Sequence, residues 1–262
     1  MNPWAVYDLL LDRVAGTDHV AEDVVMGLVW TLCRGGRGTG LAMTPAAAPR
    51  TLPWPGTLVG RPLPQLAAWL RDWDPHAACV GLAAVNAILN TQDNPLLARA
   101  RPLDKPLDRG APGNLAVFAH FLPQLAGRRV VVIGRYPGLD ALARELDLAV
   151  LERQPGPGDL PDPACEYLLR EADWVFLTAS SLANKTFPRL AELARGASTV
   201  LMGPGTPWLA ELAEFGIDYL AGVHITDPER LHRTVAEGGG TRLFEGGVRY
   251  ALAPLAKTSS PT

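Results

Sequence analysis

Lysine is almost missing from this chain: only Lys105, Lys185 and Lys257 appear among its 24 basic residues, and the rest are arginine. With 27 acidic residues the formal charge is −3, which excludes a general electrostatic attraction to nucleic acid or to an anionic membrane surface. Cysteine is scarce as well. Cys33, Cys79 and Cys165 are odd in number, widely spaced and form no C-x-x-C, so a disulfide scaffold is excluded and reduced, buried thiols in a cytoplasmic protein are expected. Long apolar runs are absent too: the uncharged stretch from Ala77 to Gln92 is too short to span a bilayer and carries Asn86 and Asn90. The start, MNPWAVYDLLLDR, is acidic where a secretory signal needs basic residues.

Several chemical signatures are also lacking. The glycine cluster GGRGTG at 35–40 has Leu41 where a G-x-G-x-x-G would need its last glycine. His19, His76, His120, His224 and His232 show no H-E-x-x-H spacing, so no preformed zinc site is expected. No G-x-S-x-G occurs, which removes the usual nucleophile elbow of a serine hydrolase.

What the chain does have is length and apolar content. Its 262 residues, 48% of them hydrophobic, suffice for two ordinary cores. The first half reads as mixed helix and strand: an opening helix, a β-rich segment from Val24 to Cys33, a hairpin turn at the glycine cluster and a return strand over 41–44. A proline-rich loop (45–64) and helices over 63–72 and 75–91 follow. Residues 92–114 carry prolines and arginines without apolar period and read as a linker or lid.

The second half alternates. The runs VVVIG (130–134), LAVLE (148–152), WVFLT (174–178), TVLMG (199–203) and IDYLAG (217–222) are separated by helical stretches over 139–145, 163–171, 188–195, 208–215 and 228–237. Apolar strands alternating with helices predict a parallel sheet covered on both faces. The expected fold is α/β, with a small α+β domain over 1–112 followed by a Rossmann-like domain over 113–262.

In such a sheet, ligands bind beyond the carboxyl ends of the strands, so the residues after each strand are the candidates. Arg135 and Tyr136 follow the first strand, and Glu152 ends the second, where dinucleotide and S-adenosylmethionine folds hold a ribose. Ser180, Ser181, Asn184, Lys185 and Thr186 follow the third. Thr186 is expected to cap a helix whose N–H groups, with the hydroxyls and the Lys185 ammonium, make an anion site. Gly203, Pro204, Gly205 and Thr206 follow the fourth, with Thr206 as N-cap and Pro207 in the first helical position. Asn86 and Asn90, four apart on one helix face, read as a core amide and a helix terminus, or as the lining of an interdomain cleft.

At GLAAVNAILN, LERQPGPGDLPDPACEYLL, TASSLANKT and GPGTPW the chain resembles an uncharacterised bacterial and archaeal family, over about residues 6–252. That family joins an enolase-N-terminal-like domain to a Rossmann-like domain and is described as acting in heavy-metal chelation. The resemblance implies a cleft between the domains with Asn86, Asn90, Asn184, Thr186, Gly203, Pro204, Thr206 and Pro207 at family motif positions. Where the family usually has a histidine–phenylalanine pair, this chain has Arg135-Tyr136, which removes an imidazole and adds a fixed positive charge.

Two functional readings follow. One is a protein of metal homeostasis that binds a small molecule, a transition-metal ion or a metal chelate in the interdomain cleft. The other is an enzyme using a nucleotide or S-adenosylmethionine on a small anionic substrate, with Glu152 on the ribose and Lys185 as clamp or acid/base group. Whether the chain is an enzyme, which metal it holds and whether it forms a homo-oligomer stay open at this level. Neither nucleic acid nor a membrane is an expected partner.

Overall fold

The computed structural model describes residues 2–46, 51–103, 113–144 and 146–256. The expected domain boundary at residues 112 and 113, residues 104–112 of the expected linker, Lys105, Lys257 and the end of the 139–145 helix fall at or outside those limits.

The chain opens with helix α1 (Ala5–Val14) and an antiparallel sheet of β1 (Asp23–Met26), β2 (Trp30–Gly35) and β3 (Gly38–Met43), in that order. The glycine cluster does more than turn the chain. Gly36 and Arg37 form the turn, while Gly38 and Gly40 are already strand residues paired with Gly35 and Cys33. Their missing side chains admit a helix: a Cβ on Gly38 would strike the Ala87 carbonyl, and one on Gly40 the Ala83 carbonyl. That helix is α3 (Pro75–Leu89), preceded by the short α2 (Leu63–Ala67).

Helix α3 starts where its sequence says it should. The Asp74 carboxylate accepts from the His76 and Ala77 N–H groups at 3.0 and 2.7 Å, and Pro75 supplies a preset first residue. It ends at Asn90. Alanine, glycine and valine dominate between, and the helix is buried on almost every side.

The segment read as linker is partly ordered. Asn94 caps a short helix, α4 (Pro95–Arg99), and β4 (Arg101–Pro102) pairs antiparallel with the last strand. After α5 (Ala116–Leu125) come β5 (Arg129–Ile133), α6 (Leu139–Ala143), β6 (Asp147–Glu152), β7 (Leu160–Pro161), α7 (Cys165–Leu168) and β8 (Trp174–Thr178). Then follow α8 (Ser180–Ala183), α9 (Phe187–Leu193), β9 (Ser198–Met202), β10 (Tyr219–Ile225), α10 (Pro228–Ala236) and β11 (Val248–Pro254). The sheet order is β4-β11-β10-β9-β8-β5-β6-β7.

All five strands expected in the second half are present. The sheet is mixed rather than purely parallel, because β11 runs antiparallel to β10 and carries β4 on its outer edge. Strand β11 escaped the sequence reading because VRYALAP carries an arginine in its second position, ends in proline and follows a glycine pair. The helix expected from Trp208 is also shorter: residues 206–209 are not helical, and only a 3-10 helix over Ala210–Phe215 forms.

Alternate residues of β5 face opposite layers. Val131 and Ile133 join an apolar cluster with Val6, Leu10 and Val85 of α1 and α3, whereas Val130 and Val132 pack with Phe118 of α5 and Val235 of α10. Thus the first-half helices share a core with one face of the large sheet. Polar ties reinforce the junction: the Tyr7 hydroxyl donates to the Leu182 carbonyl at 3.1 Å, and the Asn94 amide donates to the Trp208 carbonyl at 2.8 Å. Asn86 donates from one amide to the carbonyls of Leu41 and Gly205, each at 2.9 Å.

Cys33 and Cys79 are buried, and burial pushes both thiols up to about 12, while Cys165 is half-buried. Among the described residues, no helix is long and apolar enough to cross a membrane.

Two substitutions test this packing by chemical denaturation. Gly40→Ala forces backbone apart and is expected to cost about 1–3 kcal/mol. Asn86→Ala leaves buried carbonyls short of a donor and is expected to cost about 1–3 kcal/mol, whereas the exposed Arg37→Ala is neutral.

Candidate functional site

The chain runs from β5 outward to β6 and β7, then returns to β8 on the other side of β5. This is the strand order of the doubly wound nucleotide-binding folds, with its reversal between β5 and β8, where adjacent loops diverge and leave a crevice. A cavity of about 470 Å³ lies there. Its floor is made by the strand ends Ile133, Leu151, Thr178 and the Gly203–Gly205 loop. Val29, Trp30 and Met43 of the first-half hairpin form one wall, and Phe244 and Tyr250 another.

Of the expected site residues, Arg135, Tyr136, Glu152, Ser180, Asn184, Thr186, Gly203, Pro204 and Gly205 line this cavity. Glu152 joins two of its loops: one oxygen accepts from the Arg135 N–H at 3.0 Å and the other from the Arg153 N–H at 2.7 Å. The Thr178 and Ser180 hydroxyls are hydrogen-bonded to each other at 2.9 Å. Asn184 accepts from both the N–H and the hydroxyl of Thr186, at 3.1 and 2.7 Å.

Others lie elsewhere. Ser181 is buried and donates to the Thr178 carbonyl at 2.6 Å. Asn86, Asn90 and Thr206 are buried but do not line the cavity; Asn86 holds the loop at Gly205 from behind. The Asn86 Oδ1, both amide atoms of Asn90 and the Thr206 hydroxyl are buried without a hydrogen-bond partner among the described residues.

The anion site expected at two helix starts is not built as foreseen. Thr186 does precede α9, but its hydroxyl donates to Asn184 instead of accepting from the helix. The residues after Thr206 are not helical until Ala210, so neither it nor Pro207 opens a helix. The positive charges are also spoken for. Arg135 makes a bidentate pair with the buried Asp159, at 2.8 and 2.6 Å, and bonds Asp140 at 3.3 Å. That pairing holds the Asp159 carboxyl below its usual range.

Lys185 sits outside the cavity lining, in left-handed backbone with φ 68°. Its ammonium donates to the Ala183 carbonyl at 2.8 Å and lies 5.7 Å from the Tyr7 ring centre. Burial lowers it to about 8, against a weaker opposing pull from Asp72.

The sequence reading missed the aromatic walls, Trp30, Phe244 and Tyr250, and two polar wall residues, Asn114 and Asp162. Trp30 fell in the segment read as β-rich, Tyr250 sits in β11, which was not expected, and Phe244 follows the last expected helix. Asn114 lies at the end of the supposed linker. Only the chain's return between β6 and β8 could have pointed to Asp162.

The donor set is a poor one for a bare heavy-metal ion. Such ions favour clustered thiolate and imidazole. Among the described residues, no group of three or more His, Cys, Asp or Glu stands close enough to hold a metal. Of the two wall carboxylates, Glu152 caps backbone N–H groups and Asp162 faces Arg153 at 3.5 Å. Burial and the nearby Glu152 charge raise the Asp162 carboxyl, outweighing the Arg153 charge that lowers it.

The lowered Lys185 predicts a pH effect. Between pH 8 and the ordinary lysine range the unfolded chain binds the proton that the folded chain has released, so stability rises with pH across that window. Lys185→Met is expected to abolish the rise, measured as the denaturation midpoint from pH 7 to 10.

Comparison with known proteins agrees with the architecture. Two family profiles match, over residues 7–89 and 116–254, each described as "Putative heavy-metal chelation". A crystal structure of a protein of unknown function from Desulfitobacterium hafniense DCB-2 is 30% identical, with a TM-score of 0.82 over 96% of this chain and 98% of that one. A second, from Pyrococcus horikoshii, is 20% identical with a TM-score of 0.72 over 97% of this chain and 100% of that one, a likeness of fold alone. No curated protein matches. By the profile over its second half and the full-length likeness to the Desulfitobacterium protein, this chain belongs to the DUF364 family.

Proposed function

We propose that this protein binds a small organic molecule, either free or as the organic part of a metal chelate, in the cleft between its two halves. One observation carries the reading: an apolar-walled cavity of about 470 Å³ opens at the reversal of strand order, and no cluster of metal-ligating side chains accompanies it among the described residues. The family description points to heavy-metal chelation. A cavity that encloses a chelator, and the metal with it, reconciles that description with the side chains present. The expected Rossmann-like character of the second half supports the same location.

A second reading keeps one specific support. Glu152 ends the strand next to β5, the place from which nucleotide-binding folds reach a ribose, so a nucleotide or S-adenosylmethionine is the alternative ligand. Against it, the loop after β5 has the sequence GRYPG and lacks the glycines that admit a pyrophosphate. Lys185 has no part in either reading, since it does not line the cavity.

Native mass spectrometry with elemental analysis of protein purified without chelators tests both readings. An organic adduct, with or without a metal, is expected. A stoichiometric metal ion with no organic mass overturns the proposal. Thermal stabilisation by ATP, NAD or S-adenosylmethionine that is lost in Glu152→Ala favours the second reading instead.

A further inference from the structure

The cleft is richer in acceptors than its arginines suggest. Asn114 stands in the cavity wall and is only 3% exposed. Its amide orientation is fixed, because the Nδ2 donates to the Pro137 carbonyl at 2.9 Å, which a carbonyl oxygen could not do. This leaves Oδ1 as a buried acceptor with no partner among the described residues. Such an atom is unfavourable until something donates to it.

The surrounding charges point the same way. Arg135 is committed to Asp159 and Asp140, and Arg153 faces Asp162. Glu152 contributes a further carboxylate to the wall. Tyr136 sits beside Pro137, its ring held edge-on to Phe118 at 5.3 Å. Burial raises its phenol far above the ordinary value, so it stays neutral. Around these groups the walls are aromatic and aliphatic, from Trp30, Phe244 and Tyr250. A phosphate or carboxylate entering here meets no uncommitted cationic side chain in the lining. A flat ring whose edge carries N–H finds both an acceptor and aromatic faces.

Resting on the cleft reading above, we propose that the ligand is a nitrogen heterocycle, neutral or cationic, and that Asn114 sets its specificity by accepting an N–H from the ring edge. The anion preference expected from Arg135 and Lys185 is thereby replaced by a preference for donors.

The test uses paired probes on the full chain by ligand-observed NMR: benzimidazole against 1-methylbenzimidazole, and uracil against 1,3-dimethyluracil, with benzoate and inorganic phosphate as anionic controls. In the wild type, each N–H probe is expected to bind roughly tenfold tighter than its methylated twin, the loss of one well-made hydrogen bond. In Asn114→Leu the ratio is expected to fall to about one while the methylated twins bind as before. In protein-observed spectra of the nitrogen-15-labelled chain, the side-chain amide signals of Asn114 shift with benzimidazole and not with its twin. Should the variant fail to fold, the twin ratio and the amide shift in the wild type decide alone.

Equal binding of the twins by the wild type, a ratio retained in Asn114→Leu, or tighter binding of phosphate or benzoate overturns this inference and leaves the cleft reading standing. If none of the probes binds the wild type, this inference fails, while the cleft reading is decided separately by the native mass spectrum.

Discussion

The burial of α3 on nearly all sides is the constraint on which the cleft depends. A helix of mostly small residues can sit against β3 only because Gly38 and Gly40 present no side chains to it. From that position Asn86 reaches two carbonyls at once, one on β3 and one on the loop after β9. A single amide therefore fixes the hairpin wall and the floor loop relative to each other. Were α3 further away by the width of a methyl group, that double bond would be lost and Met43 would not face Gly205 across a common space.

The same dependence explains why the cleft is more than a crevice in an α/β sheet. The strand reversal supplies a floor in any doubly wound sheet. What closes it here are Val29 and Trp30, delivered by the first half, with Trp30 donating to the Gly240 carbonyl at 3.1 Å. Hairpin and sheet thus meet over the cavity, and the apolar cluster behind them contains residues from both halves. A rigid junction of this kind favours a preformed pocket whose selectivity lies in a few polar atoms.

Much of this was legible in the sequence. The five parallel strands are apolar runs bounded by helices, and nine of the residues expected at or just after their ends line the cavity. Charge placement was not legible. Arg135 read as a free cation because Asp159 lies 24 positions on and meets it only through the loop that follows β6. Lys185 read as a cleft residue because it follows a strand end, yet its left-handed backbone aligns with an ammonium drawn to Ala183 and Tyr7. Thr206-Pro207 had the composition of a helix start, but Trp208 packs into the core with its indole on the Val223 carbonyl at 3.3 Å. Tertiary packing, which spacing along the chain does not encode, took precedence over local propensity at each of these points.

The description of the family and the chemistry of this cleft bear on each other directly. Holding a heavy-metal ion bare requires several soft or anionic side chains to converge, and their mutual repulsion must be tolerated in the absence of metal. Here each described wall carboxylate is instead engaged with backbone N–H groups or arginine, and the thiols of Cys33 and Cys79 are buried and held protonated by burial. Under the proposed reading, selectivity for a metal is exercised through the molecule that carries it, which a pocket with aromatic walls and a buried acceptor would recognise by shape and by its N–H edge. Metal exchange would then be governed by the carrier's own ligands and not by the protein's.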